Sequence, residues 1–263
     1  MNDAILLFDY DGTVRLGSEH ATHYARQVAA HLDADGERAF LAAHAAFVAG
    51  KPTTASTFDA YDADNAVRRL AGEFGVPDAI RHEAYVETRK RMAAGEFDVW
   101  APKGLRELLW SLPRGVEVAL VTNAPAATLE PVLERLELDG LFDHVIGDAG
   151  KPDGLDAIID ELLEERPAEA LLSIGDIPRN DLAPAVERGC ATAYIDHYGR
   201  PWPEATVSGA SLEELYPFIH RWVNSTDLRL ASAAKKAGSW PASVAERREP
   251  SMSQPHPMLE NAP

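Results

Sequence analysis

Cysteine is almost absent from this chain of 263 residues, because Cys190 is the only one. No disulfide can form within the chain, so we expect a protein of the reducing cytoplasm. Long apolar runs are missing too: no segment approaches the roughly 20 residues that cross a bilayer. No basic region precedes the short apolar run near the N-terminus. We therefore expect neither a membrane span nor a signal peptide.

Positive charge is also scarce. The chain has six lysines, and its 42 acidic residues outnumber 25 basic ones, which gives a formal net charge of −17. A surface of this sign repels polyanions, so neither nucleic acid nor an anionic membrane is an expected partner. The 46% hydrophobic composition is sufficient for a full core in one large domain or two modest ones.

Five short apolar segments, rich in β-branched residues and bounded by polar residues or glycine, predict β-strands. They are "AILLF" (4–8), "VEVALVT" (116–122), "HVIG" (144–147), "ALLSIG" (170–175) and "TAYID" (192–196). Helical patterns lie between the later strands, as in "LDAIIDELL". Strands that alternate with helices predict an α/β fold with a parallel sheet covered on both faces.

The segment 15–97 interrupts this alternation, because it contains four helical patterns and no convincing strand. We interpret it as a helical cap inserted after the first strand, above the edge of the sheet where ligands bind in such folds. The catalytic core would comprise residues 1–14 and 98–223. Residues 224–263 are rich in Ser, Ala and Pro and have little apolar periodicity, which predicts a disordered tail.

Two acids end the first strand. In "FDYDGT", Asp9 and Asp11 are two residues apart, so strand alternation places them on the same side. Like charges this close repel each other, and a hard cation between them removes the repulsion. The spacing favours a Mg²⁺ site that includes Asp9 and Asp11, although Asp-Gly is also an ordinary turn signal.

The later predicted strands end in polar or charged residues as well. These residues are Thr122 and Asn123, Lys151, Asp176, and Asp181 five residues further on. Because the carboxyl ends of parallel strands meet at one edge of the sheet, we expect this set to converge with the first acid pair.

The converging acids suit phosphoryl transfer through a covalent aspartyl-phosphate. Asp9 would be the nucleophile, and Mg²⁺ would be held by Asp9, Asp176 and the backbone carbonyl of Asp11. The side chain of Asp11 would protonate the leaving oxygen and later take a proton from the attacking water.

The remaining residues suit a phosphate-binding role. Thr122, the backbone amide of Asn123 and Lys151 would hold the phosphoryl oxygens and balance the charge that develops in the transition state. Gly12 would let the backbone turn close to the phosphate, and Asp181 would support the site.

Four motifs carry a resemblance to a known family. "DYDGT", "LVTNA", "GKPDG" and "GDIPRND" occur in this order, and across residues 4–196 the chain resembles the haloacid dehalogenase (HAD) superfamily. The resemblance implies a Rossmann-like core, a helical cap of the C1 type, Mg²⁺ dependence and Asp9 as nucleophile. Members that cleave carbon–halogen bonds replace the second aspartate of the first motif, whereas this chain keeps Asp11. The resemblance therefore implies a phosphatase of small phosphorylated metabolites.

Two other functions stay open on the sequence alone. A sugar-phosphate mutase of the same superfamily would use the same acid pair, and a noncatalytic phosphate-binding or scaffold protein would keep only the fold. Lys51 in "AGKPTTAST" is a possible substrate contact from the cap. His20 and His23 lie on the first cap helix, where we expect surface histidines rather than groups that approach the leaving group.

Overall fold

The computed structural model describes residues 3–234, and six parallel strands in this range form one sheet. The strands are β1 (Ile5–Phe8), β2 (Glu117–Val121), β3 (His144–Ile146), β4 (Leu171–Gly175), β5 (Ala191–Ile195) and β6 (Val207–Gly209). Their order across the sheet is β3-β2-β1-β4-β5-β6. This confirms the predicted α/β, Rossmann-like parallel sheet. The edge strand β6 has the sequence "VSG", whose three residues carry too little apolar pattern to predict a strand.

Eleven α-helices accompany the sheet within the described range. Six of them lie between β1 and β2, and the first five of these are α1 (Glu19–Ala29), α2 (Ala34–Val48), α3 (Ala55–Phe58), α4 (Ala63–Glu73) and α5 (Asp78–Ala93). The others are α6 (Leu105–Trp110), α7 (Leu129–Arg135), α8 (Leu155–Leu163), α9 (Ala183–Glu187), α10 (Leu212–Val223) and α11 (Thr226–Ala234). In residues 3–234, no helix is both long and apolar enough to cross a membrane.

The central strand β1 is buried along its whole length. Successive side chains of a strand point to opposite faces. Leu6 and Phe8 accordingly join the larger apolar cluster, while Ile5 and Leu7 join a second cluster with α8 on the other face. A strand covered on both faces has to be apolar at every position, which is why "ILLF" forms an uninterrupted apolar run.

Helices α1–α5, here called the helical insertion, have an apolar cluster of their own. Tyr24, Phe40 and Leu70 are among its buried members, so side chains from α1, α2 and α4 meet there. The bounds of the insertion as a separate domain (15–97) and its role as a cap stay predictions.

The prediction of disorder from residue 224 onward is wrong for the first part of that segment. Helix α11 follows α10 directly, and its Arg229 is only 8% exposed. The Arg229 guanidinium donates to Asp3 at 2.7 Å and lies 5.9 Å from the ring of the buried Trp222. Leu228 packs against the larger apolar cluster as well, so an arginine and a leucine contribute to docking this helix without the apolar periodicity that sequence analysis relies on. Residues 235–263 lie outside the described residues.

The burial of β1 predicts a large difference between two leucine truncations. Leu7 is fully buried and Leu230 on α11 is 52% exposed. We expect Leu7→Ala to lower the free energy of unfolding by about 2–5 kcal/mol, because it leaves a cavity in the core. Leu230→Ala should change it by less than about 0.5 kcal/mol. Urea denaturation measures both, and equal losses would contradict the burial of β1.

Candidate active site

The parallel register of the sheet brings three strand ends to one edge. Phe8, the last residue of β1, pairs with Leu120 of β2 and with Ile174 of β4. The next residue, Asp9, donates its backbone N–H to the carbonyl of Ile174 at 2.8 Å. Residues that follow β1, β2 and β4 are therefore held side by side at the carboxyl edge of the sheet.

Three carboxylates meet at this edge. Asp9, Asp176 and Asp181 each offer an oxygen within 4.8 Å of the others. Lys151 provides the adjacent ammonium, since its Nζ donates to Oδ1 of Asp9 and to Oδ1 of Asp181, each at 2.7 Å. Asp9, Asp181 and Lys151 are all at least nine-tenths buried. Asp9 and Asp181 thus share one ammonium, and Asp176 adds a third acid beside them, in an environment that bulk water hardly screens.

The excess of negative charge is reflected in the pKa values of Asp9 and Asp176. Burial raises the pKa of Asp176 well above its usual value, and the nearby Asp9 raises it further. Burial and Asp181 likewise raise the pKa of Asp9, against the opposing effect of Lys151. Oδ2 of Asp9 and Oδ1 of Asp176 are buried and have no hydrogen-bond partner within the described residues. Partnerless carboxylate oxygens in a group of three acids are the donor set that a hard divalent cation takes.

Two glycines allow this close packing of acids. A Cβ on Gly12 would lie 2.3 Å from Oδ2 of Asp176, and Gly12 has a φ of +84°, which disfavours other residues. A Cβ on Gly175 would lie 2.5 Å from the Cβ of Asp181. The sequence predicted a role for Gly12 near the phosphate, and the structure shows that it makes room for an acid.

The residues after β2 also hold Lys151. Asn123 accepts from the backbone N–H of Lys151 at 2.6 Å and donates to its carbonyl at 2.9 Å. Thr122 is buried, and its hydroxyl accepts from the backbone N–H of Ala124 at 3.1 Å. The side chain of Asn123 is therefore occupied in placing Lys151, and only its backbone amide remains for the predicted contact with phosphate.

Asp11 lies apart from the three-acid group. Arg89 donates to its Oδ1 at 3.1 Å and to its Oδ2 at 2.6 Å. Arg15 donates to Oδ1 through Nε at 2.9 Å and through Nη2. Withdrawal from water would raise the pKa of Asp11, but the two guanidinium groups outweigh this effect and hold the pKa well below its usual value. Its carboxylate thus has its own counterions, which leaves the backbone carbonyl as the group of Asp11 that a cation could use.

Arg15 and Arg89 are site residues that the sequence analysis missed, and His20 is one that it expected at the surface. His20 is 5% exposed, so the expectation of a surface histidine is wrong. Its ring nitrogens lie 3.3 Å from Arg15 Nη1 and 3.3 Å from Asp64 Oδ2 at the start of α4. The i, i+4 spacing of Asp11 and Arg15 was a readable sign of their pairing. No comparable sign marked Arg89, which lies 78 residues from Asp11.

A cavity of about 440 Å³ opens above these groups. Its core wall includes Asp9, Asp11, Thr122, Asn123, Lys151 and Asp181. The helical insertion contributes Tyr24, Tyr61, Asp62, Asp64, Asn65, Arg68, Arg81, His82, Tyr85 and Val86. Lys51, the predicted contact, is exposed in the turn after α2 and is absent from the described lining. Other insertion residues therefore face the cavity.

The close approach of Gly12 to Asp176 gives a testable difference between two glycines. Gly12→Ala places a methyl group against a buried carboxylate, whereas Gly50 has a similar φ of +71° but nothing within 4 Å of its Cβ position. We expect Gly50→Ala to show only the cost of the left-handed backbone, about 1–2 kcal/mol. Gly12→Ala should lose about 1–3 kcal/mol more in urea denaturation. Equal losses would contradict the close contact.

Comparison with known proteins shows which family the chain belongs to. The sequence model of the haloacid dehalogenase-like hydrolase family matches residues 6–183. Phosphoglycolate phosphatase of Pseudomonas syringae pv. syringae is 32% identical over 139 residues, which are 49% of this chain and 50% of that protein. The chain thus spans about half the length, or less, of the curated relatives it matches.

Two solved structures share the fold. The HAD-hydrolase YfnB from Bacillus subtilis, bound to magnesium, has a TM-score of 0.55 and 22% identity, and covers 83% of this chain and 99% of its own. CbbY from Rhodobacter sphaeroides, in complex with phosphate, has a TM-score of 0.56 and 19% identity over 82% of this chain and 96% of its own. With the family match over residues 6–183, the chain belongs to the haloacid dehalogenase-like hydrolase family.

Proposed function

We propose that this protein is a Mg²⁺-dependent phosphatase that hydrolyses a small phosphorylated metabolite through an aspartyl-phosphate on Asp9. The observation that carries the proposal is how the two carboxylate oxygens of Asp9 are held at the cavity wall. One of its oxygens accepts from Lys151 at 2.7 Å, and the other is buried without a partner among the described residues. A carboxylate held in this way is oriented toward a phosphoryl group and shielded from bulk water.

Asp9, Asp176 and Asp181 would hold the cation, together with the backbone carbonyl of Asp11. Bound Mg²⁺ would supply charge neutralisation between these acids and the phosphate. The partnerless oxygens, the raised pKa values and the space left by Gly12 all fit such an ion. YfnB, which shares the fold, binds magnesium.

The residues of the chain then perform two displacements at phosphorus. A carboxylate oxygen of Asp9 attacks, the bond to the leaving oxygen breaks, and Asp11 gives that oxygen a proton. Water next attacks the phosphorus of the aspartyl-phosphate, Asp11 takes the proton of this water, and inorganic phosphate leaves with Asp9 restored. Lys151, Thr122 and the amide of Asn123 hold the phosphoryl oxygens in both steps.

Because Arg15 and Arg89 hold the pKa of Asp11 well below its usual value, the ionised form, which accepts a proton, is favoured before substrate binds. The approach of a phosphate dianion opposes the effect of the arginines, because a like charge nearby disfavours the ionised carboxylate. Substrate binding thus favours the protonated form that the first displacement needs.

Phosphoglycolate is the first substrate to test. The curated relatives bear the name phosphoglycolate phosphatase, and the helical insertion lines the cavity with Arg68, Arg81 and His82. Guanidinium groups at this position suit a leaving group with a second anionic group, such as a carboxylate. The cavity of about 440 Å³ also accommodates larger esters, so sugar phosphates and nucleotides belong in the same panel.

We predict that Asp9→Asn abolishes phosphate release from every ester that the wild type hydrolyses. The substitution keeps the shape of the side chain and removes the nucleophile, so the variant should still unfold cooperatively. Asp153→Asn, an exposed change two residues from Lys151, serves as the control and should keep the wild-type rate. Wild-type turnover in Asp9→Asn would contradict the mechanism. Phosphate transfer between sugar hydroxyls without release would instead favour a mutase.

Metal binding has a test that does not need activity. We expect Mg²⁺ to raise the unfolding temperature of the wild type, because a ligand that binds only the folded state stabilises it by about 2.7 kcal/mol at a hundred times its Kd. Asp176→Asn should lose most of this increase, whereas Asp153→Asn should retain it. An increase of the same size in Asp176→Asn, or none in the wild type, would contradict the proposed ion site.

A further inference from the structure

We propose that Arg89 is a positioning residue for Asp11, and that it links the acid–base step to the position of the helical insertion over the core. The proposal rests on the phosphatase function proposed above. Arg89 belongs to α5 of the insertion, while Asp11 belongs to the segment after β1. Their contact joins the two parts of the molecule at a group that acts on the leaving oxygen.

The geometry of the contact is bidentate. The two terminal nitrogens of Arg89 donate to the two oxygens of Asp11, at 3.1 Å to Oδ1 and 2.6 Å to Oδ2. Such a fork fixes the plane of a carboxylate as well as its distance. In residues 3–234, Arg89 is the only hydrogen-bond donor that the structure shows for Oδ2 of Asp11. Without Arg89, this oxygen has no protein partner that sets its orientation.

The guanidinium of Arg89 is itself fixed in place. Arg89 is 1% exposed, and its Cζ lies 5.9 Å from the ring centre of Tyr10 and 5.7 Å from that of Tyr85. Tyr10 is the residue between Asp9 and Asp11, and Tyr85 precedes Arg89 by one helical turn on α5. The charge is therefore seated between one ring of the core and one ring of the insertion, which restricts it to the Asp11 carboxylate.

Arg15 has a different role, although it binds the same carboxylate. It lies four residues after Asp11 and contacts only Oδ1. Its Nη1 also donates to the carbonyl of Gly17 and lies 3.3 Å from a ring nitrogen of His20 at the start of α1, so Arg15 is held by the chain that directly follows Asp11 and not by α5. Moving α5 relative to the core would break both bonds from Arg89 and leave the Arg15 bonds intact. The orientation of Asp11 therefore depends on the insertion through Arg89.

The test is a kinetic double-mutant cycle of Arg89→Met and Asp11→Asn, measured with an alkyl phosphate and with an aryl phosphate that has a better leaving group. General acid–base catalysis contributes about 10²–10⁴-fold. We expect Arg89→Met to lower kcat for the alkyl ester about tenfold or more, and less for the aryl ester. In the Asp11→Asn background the same substitution should change kcat less than about twofold, because the group it positions is gone.

A second variant and a stability measurement keep the test decisive if Arg89→Met folds poorly. Arg89→Lys keeps the charge but lacks the fork, so it should restore folding and only part of the kcat. In urea denaturation, Arg89 and Asp11 substitutions should be strongly non-additive, because removing one partner leaves a buried charge unpaired. Arg69→Met, at an exposed arginine outside the described cavity lining that pairs with Asp59, should leave kcat unchanged.

The outcomes show whether this inference fails alone or together with the proposed function. Normal wild-type turnover with additive losses of kcat from the two substitutions would overturn the positioning role and leave the phosphatase proposal intact. A turnover that is unchanged or faster in Arg89→Met would overturn it as well. A folded wild type that releases no phosphate from any ester, while the stability cycle shows full coupling, would overturn the phosphatase proposal and the positioning role with it.

Discussion

Lys151 places one ammonium between Asp9 and Asp181, with Nζ at 2.7 Å from an oxygen of each, and Asp176 adds a third acid to the same small volume. Unpaired charge in a protein interior is unfavourable unless a counterion or a hydrogen bond compensates it. The rest of the site follows from this imbalance: Gly12 and Gly175 make the close approach possible, and Asn123 fixes the lysine from the neighbouring strand end. An excess of negative charge on one side of a cavity is a suitable setting for a divalent cation.

The same constraint explains why the two acids of the first motif have different surroundings. Asp9 and Asp11 are two residues apart, yet Asp9 is paired with Lys151 and Asp11 with Arg15 and Arg89. In the proposed mechanism, separate counterions would keep their chemistry distinct, with Asp9 as the nucleophile and Asp11 as the group that exchanges a proton. The second set of counterions comes partly from the helical insertion, so the insertion contributes to the orientation of the Asp11 carboxylate.

The sequence predicted the elements that local residue patterns encode. It did not reveal contacts between residues that lie far apart in the chain. Apolar runs that end in acids revealed β1 and β4 and placed Asp9 and Asp176 at one edge, because a buried strand is apolar throughout and parallel strands end together. Arg89 carried no such signal: in "ETRKRM" it resembles a solvated helix face, and only the tertiary fold shows that it is buried against Asp11. Helix α11 was missed for a related reason, since the buried guanidinium of Arg229, which pairs with Asp3 far away in the sequence, contributes to its docking.

The direct test of the central claim is to trap the phosphoryl group on the protein. Wild-type protein mixed with a ³²P-labelled ester and Mg²⁺, then quenched in acid during turnover, should carry label that maps to the peptide containing Asp9. The label should disappear on treatment with hydroxylamine, as acyl phosphates do. Phosphate release at full rate with no labelled protein at any quench time, or label at another residue, would contradict the account in which Asp9 is the nucleophile.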